Sequence, residues 1–328
     1  MKKSIFYLIT GLLVLFLAAC GGDDSSEESG SNENGDNQTE SESSNTYEVE
    51  HAMGTATIEE DPEKIVVLTN HGTEALLSLG ITPTGAVQSW VGDPWYEHIS
   101  DDMQGVEVVG TESDINLEAI AALEPDLILA NKMRQEEHYE ALNAIAPTVM
   151  EETLRGDWKV NFELIAEAVG MQDEGQQVLD DYQSKVEELS ADLEDAGKLD
   201  TKVSMVRFMP QDVRIYYKDS FSGIILEEIG LDRPESQKKD EFAAKGVTKE
   251  RINEMDGDVI FYFTYQKAED GQQVQSEWTE DPLWQNLEAV QEGKAYEVSD
   301  TIWNTAGGVI AANIMLDDLR EKLLNEGE

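Results

Sequence analysis

"NLEAIAALEPDLI" (Asn116 to Ile128) aligns without gaps on "TKERINEMDGDVI" (Thr248 to Ile260). Each copy opens on a residue able to cap a helix, carries Glu at 118 or 250 and Ile at 120 or 252, and reaches Asp at 126 or 258 before an apolar run. Caps of this kind satisfy the first free N–H groups of a helix, so each copy reads as capped helix, tight turn and buried strand. A unit repeated this far apart in the chain implies two lobes of similar design.

Working outward, "KIVVL" (Lys64 to Leu68) reads as a strand, "GTEALLSLG" (Gly72 to Gly80) as a helix stopped by glycine, and "TGAV" (Thr84 to Val87) as the next strand. That alternation is the βαβ rhythm of a layered α/β lobe. "KVSMVRFMPQDVRIYY" (Lys202 to Tyr217) alternates like a strand pair, "FSGIILEEIGL" (Phe221 to Leu231) is helical, and "VIAANIMLDDLREKLL" (Val309 to Leu324) closes the chain as an amphipathic helix. Between the repeats, Val178, Leu179, Tyr182, Val186, Leu189 and Leu193 keep helical spacing for more than four turns, long enough to bridge two lobes. The expected organisation is an amino-terminal α/β lobe over 59–171, a linker helix over 172–198 and a carboxy-terminal α/β lobe over 199–328.

The chain starts differently. Lys2 and Lys3 precede "IFYLITGLLVLFLAA" (Ile5 to Ala19), which is short for a membrane span and reads as a signal peptide over 1–19. "LAAC" (Leu17 to Cys20) resembles a bacterial lipobox, in which Cys20 is lipidated and becomes the first mature residue. It is also the only cysteine, so no thiol remains for a disulfide or a nucleophile. Residues 20–58 are expected to be an acidic, disordered tether, because the segment after Cys20 has no Lys, Arg or aliphatic residue before Val49.

The chain carries a formal net charge of −46 over 328 residues, and most of the acidity lies in the folded part. Such a field opposes nucleic acid and anionic head groups. No G-x-S-x-G, P-loop or H-E-x-x-H motif is present, and four scattered histidines do not make a metal site. No catalytic residues, enzyme cofactor or protein-held metal are therefore expected.

The scarce cations are more informative. Arg134, Arg155, Arg207 and Arg214 fall in or near expected strands. A guanidinium binds carboxylate bidentately at any relevant pH, so these four either pair with surface acids or clamp an anion from two sides. Trp158, Tyr216 and Trp303 belong either to the core or to a cleft, and His71 either lines that cleft or is solvated. Arginine beside aromatic surface suits a bulky, partly apolar anion.

From Lys64 onward the chain resembles the iron-siderophore branch of the periplasmic-binding-protein family, shared with vitamin B12 binders. "KIVVLTNHGTEALLSLGITPTGA", "LEAIAALEPDLILA", "EALNAIAPTV", the long helix after "NFELIAEAVG" and "WNTAGGVIAANIMLDDL" carry the likeness. The resemblance implies two three-layer α/β lobes joined by a single long α-helix, with the ligand cleft between the lobes. It further implies the substrate-binding lipoprotein of an ABC importer, lipid-anchored on the extracellular face of a Gram-positive membrane. Such a monomeric receptor hands a ferric siderophore of hydroxamate or citrate type to a permease and its ATPase subunits. Within this likeness Arg134, Arg155, Arg207 and Arg214 match ligand-contacting positions, and Glu74 and Glu227 match the glutamates that meet the permease. The alternatives are a receptor for ferric citrate, haem or cobalamin, or a surface metal-dependent hydrolase.

Overall fold

A computed structural model describes residues 45–154, 156, 158–265 and 269–324. The expected signal peptide, Cys20 and most of the expected tether lie outside the described residues, as does Arg155.

The amino-terminal sheet orders its strands Asp114–Ile115, Glu107–Thr111, Gly85–Gln88, Ile65–Val67, Leu127–Asn131 and Thr148–Glu151. Only the first pair is antiparallel. The carboxy-terminal sheet runs Ala243–Ala244, Asp212–Tyr216, Val203–Met209, Val259–Thr264 and Ala295–Glu297, antiparallel over its first three strands and parallel thereafter. Each sheet is buried on both faces, which is why its central strands are nearly continuous apolar runs.

Alternation along those strands divides them between cores. Ile65, Val67, Leu127 and Leu129 point into a cluster shared by both lobes, while Val66, Leu68, Ile128 and Ala130 face a cluster of the first lobe alone. The second sheet repeats the arrangement, with Val203, Met205, Phe261 and Phe263 in the shared cluster and Val206, Phe208 and Ile260 in its own. The helices Trp158–Ala168, Gln172–Asp195 and Val309–Leu324 complete the shared cluster. The long helix buries Leu179, Tyr182, Val186, Leu189 and Leu193, the expected stripe. The lobes thus meet through packed side chains as well as a connecting segment, and close packing resists a change in their separation.

The repeat holds at the level of hydrogen bonds, with one difference. Asn116 accepts from the Ala119 N–H and starts an α-helix, Leu117–Ala122. Thr248 makes no such side-chain bond, and Lys249–Met255 winds as a 3-10 helix. The two aspartates still act alike: Asp126 Oδ2 accepts the Lys64 N–H and Asp258 Oδ2 the Lys202 N–H, both at 2.8 Å. Each therefore ties the turn after its helix to the start of its lobe's sheet.

One expectation is corrected. The tether was expected to reach residue 58, but Thr46–His51 and Gly54–Glu59 form an antiparallel hairpin. Val49, Ala56 and Ile58 enter the shared core and the Tyr47 hydroxyl donates to the Ala168 carbonyl at 2.9 Å. Three inward residues on two short strands suffice to dock a segment whose outer face is polar.

Candidate ligand-binding cleft

A cavity of about 490 Å³ opens between the lobes. Its lining gathers just beyond the carboxyl ends of strands: His71 after Ile65–Val67, Trp90 after Gly85–Gln88, Glu112 after Glu107–Thr111, Arg134 after Leu127–Asn131 and Tyr265 after Val259–Thr264. Parallel α/β sheets place ligands there because strand ends and loops converge on an open edge.

Arg134 sits on the single helical turn Lys132–Gln135. Asn131 caps that turn by accepting the Met133 N–H at 2.9 Å, and Gln135 Nε2 donates to the Glu112 carbonyl at 2.8 Å. A pinned turn holds a guanidinium that is still 40% exposed. Its Nε lies 3.6 Å from Glu112 Oε2, and its carbon stands 5.8 Å from the Trp90 ring centre. Glu112 Oε1 is occupied by the Asn70 backbone N–H and Nδ2, both at 2.7 Å.

Arg207 and Arg214 are directly opposed across the hairpin of the second sheet. Like charges so placed repel, and each is offset by its own carboxylate. Arg207 is 6% exposed; its Nε is 2.6 Å from Asp300 Oδ1, Nη2 donates to Asp300 Oδ2 at 2.9 Å, and Nη1 donates to the Tyr216 hydroxyl at 3.2 Å. Burial alone would lower the Arg207 pKa, but Tyr216 and Asp300 outweigh it and hold the group above its ordinary value. Arg214 Nε donates to Asp212 Oδ2 at 2.6 Å, which leaves its terminal nitrogens without partners among the described residues. Lys245 and Tyr265 complete this wall, with the Tyr265 ring 5.4 Å from the Arg207 guanidinium carbon.

His71 lies in the first turn of the helix Asn70–Ser78, whose cap is Thr69. Its Nε2 is 2.7 Å from Glu151 Oε1, and Glu151 Oε2 accepts from Asn131 Nδ2 at 3.0 Å. Burial pulls the His71 pKa down, but Glu151, with Glu112 and Glu74 behind it, raises it above 6.5 on balance. Trp158 lines the cleft, edge-on to Tyr182 at 5.1 Å, and its buried Nε1–H has no hydrogen-bond partner among the described residues.

Among the expected ligand residues, then, Arg134, Arg207, Arg214, Trp158, Tyr216 and His71 line one cleft. Trp303 does not. It is fully buried, packs its ring against Phe261 with centroids 4.5 Å apart and donates Nε1–H to Asp318 at 2.8 Å, because the π-helical turn Thr301–Thr305 sends Asn304 and Thr305 to the cleft and Trp303 to the core.

Glu74 is not on the surface either. It is 0% exposed, 2.5 Å from His98 Nε2, and accepts the Ala311 N–H at 2.9 Å, so it caps the closing helix from inside. Gly308 allows this approach, since a Cβ there would stand 2.6 Å from the Glu74 carboxylate. Glu227 is half-exposed and pairs with Lys218 at 2.7 Å, whereas Glu228 turns inward to Tyr182 and Lys159.

Sequence reasoning missed Trp90, Glu112, Lys245 and Tyr265. All four follow expected or observed strands at the same edge of their sheets, and that placement rule was a usable signal. Among the described residues no three His, Cys, Asp or Glu side chains converge to hold a metal ion.

A profile of the periplasmic binding protein family matches residues 65–301. The chain belongs to that family. It is 49% identical, over 99% of both chains, to a probable siderophore-binding lipoprotein, YfiY, of Bacillus subtilis. It is 28% identical to the Fe(3+)-citrate-binding protein YfmC of the same organism, over 97% of both. Among solved structures, Staphylococcus aureus SirA complexed with staphyloferrin B superposes with a TM-score of 0.80 at 35% identity, covering 85% of this chain and 98% of that one. Two α/β lobes joined by the long helix are thus the architecture of the family as well as of this chain.

Proposed function

We propose that the protein is the substrate-binding component of an ABC importer and captures a ferric siderophore of hydroxamate or citrate type for delivery to a membrane permease. The observation that carries this is the cleft, where Arg134, Arg214 and Lys245 oppose one another from two lobes beside Trp90, Trp158 and Tyr265. In a chain of net charge −46, that concentration of cations and rings suits an anionic, partly apolar complex. The iron would be cargo already wrapped by ligand oxygens, so the protein need supply only charge, hydrogen bonds and stacking.

In this reading Cys20 carries the lipid anchor on the outer face of the membrane, Arg155 contributes a ligand contact, and Glu227 meets the permease. The protein acts as a monomer and as a receptor, not an enzyme. The test is tryptophan quenching of the purified chain against ferric citrate, ferric staphyloferrin B, a ferric trihydroxamate and a ferric triscatecholate. Saturable quenching by a carboxylate or hydroxamate complex is expected; no response to any of the four overturns the proposal.

A further inference from the structure

The described arginines of the cleft share a habit: each turns its Nε toward a carboxylate, Arg134 toward Glu112, Arg207 toward Asp300 and Arg214 toward Asp212. A guanidinium held at Nε can rotate little, and its two terminal nitrogens then form a fixed fork. For Arg207 that fork is spent on Asp300 and Tyr216. For Arg214 it is open to the cleft.

Asp212 does a second thing. Its Oδ1 accepts the Gly246 N–H at 2.7 Å while its Oδ2 takes Arg214 Nε at 2.6 Å. Gly246 has φ 61°, a left-handed conformation that favours glycine, and it directly follows Lys245 on the edge of the sheet. Lys245 is exposed, lies over the Phe242 ring at 5.7 Å and has no carboxylate partner among the described residues. One carboxylate therefore sets both the plane of a guanidinium and the turn that presents an ammonium.

We propose that Asp212 is a positioning residue that builds Arg214 and Lys245 into a preformed receptor for a free carboxylate of the ligand. This rests on the reading of the cleft as an anion site and adds a substrate class to it. The receptor favours an iron complex that presents an uncoordinated carboxylate over one whose oxygens all bind the metal. Preorganisation matters because fixing a long side chain on binding otherwise costs affinity.

The charge of Asp212 and its positioning act in opposite directions. As a mere negative charge near an anion, its removal tightens binding. As a positioning group, its removal weakens binding although the cleft becomes more positive. Ferric citrate titrated into the full chain by tryptophan quenching reads the sign. Asp212→Ala and Asp212→Asn are each expected to weaken it at least fivefold, with a smaller change for a ferric trihydroxamate; unchanged or tighter ferric citrate binding overturns the proposal.

A structural defect is separated by repeating Asp212→Ala in an Arg214→Ala/Lys245→Ala background. The substitution should then leave affinity unchanged or slightly tighter, since only its charge remains to act, and a further loss there overturns the proposal. A ligand-free measurement stands beside these. The Nε–H proton of Arg214, assigned with Arg214→Lys, should exchange with water at least tenfold faster in Asp212→Ala. Fast exchange in the unaltered chain overturns the positioning role even if ferric citrate binds. If the unaltered chain quenches with no iron complex, the proposed function fails while the exchange measurement still decides the role of Asp212.

Discussion

The two walls of the cleft carry cations of different standing. On the amino-terminal wall Arg134 is 40% exposed and only loosely approached by Glu112, so its charge is available. On the carboxy-terminal wall Arg207, at 6% exposed, has both terminal nitrogens hydrogen-bonded, Nη2 to Asp300 and Nη1 to Tyr216, while its buried Nε lies 2.6 Å from Asp300 Oδ1 in an ion pair without a hydrogen bond. Arg214, its partner across the hairpin, keeps its fork. A buried ion pair of the Arg207 kind offsets its own desolvation and has little positive field left for a ligand. Counting arginines therefore overstates the charge a ligand meets. What decides it is how many donors each guanidinium has already given away.

The sharpest way to break this contrast is Arg207→Ala. It leaves Asp300 buried without its counter-ion, and removal of one partner of such a pair costs about 3–5 kcal/mol. Arg214→Ala, at a partly open pair, should cost within about 1 kcal/mol. Equal losses in denaturant unfolding would erase the distinction. In ligand titrations the ranking reverses: Arg134→Ala and Arg214→Ala should each lose a charge-assisted contact of about 1.5–3 kcal/mol, roughly ten- to a hundredfold in Kd, with the fold intact. An unchanged Kd for either would remove it from the site.

The same contrast marks what could be read from sequence. Strand and helix periods were legible because most core strands and the linker helix obey a single rule over many residues; Val309 to Leu324 is helical end to end, as its pattern predicts. Arg134, Arg207 and Arg214 were legible as cleft candidates from scarcity and strand position. Pairing was not, since Asp300 is 93 residues from Arg207 and only the tertiary fold brings them together. Glu74 and Trp303 went astray for a related reason. A glutamate on a short helix ordinarily faces water, but this one caps a distant helix, and a π-helical turn moves Trp303 one face away from where its neighbours point. The hairpin at 46–59 was hidden because three core residues among acids and threonines leave composition polar.

His71 sharpens the amino-terminal wall through pH. Its folded pKa lies above 6.5, so the stabilisation from the His71–Glu151 pair is fully present below that value and fades as pH rises through the folded value. Losing that proton also takes a positive charge from the wall facing the anion. Stability and affinity for ferric citrate should both decline above pH 6.5 in the unaltered chain, and His71→Gln should flatten both slopes. A decline in stability of the same size in His71→Gln would assign it to another group.

The smallest effect is expected at Lys245. It is exposed, flexible and screened by salt, so even as a ligand contact it should be worth only about two- to fivefold in Kd. Lys245→Met keeps the aliphatic stem over Phe242 and removes only the charge. The loss should shrink as sodium chloride rises from about 0.05 to 0.5 M, because the Debye length then falls to a few ångströms. Arg134→Ala should keep more of its penalty over the same range, since a guanidinium fork contributes directed hydrogen bonds as well as field. If both penalties vanish together with salt, the two walls act on the ligand by charge alone, and the fixed forks contribute nothing beyond it.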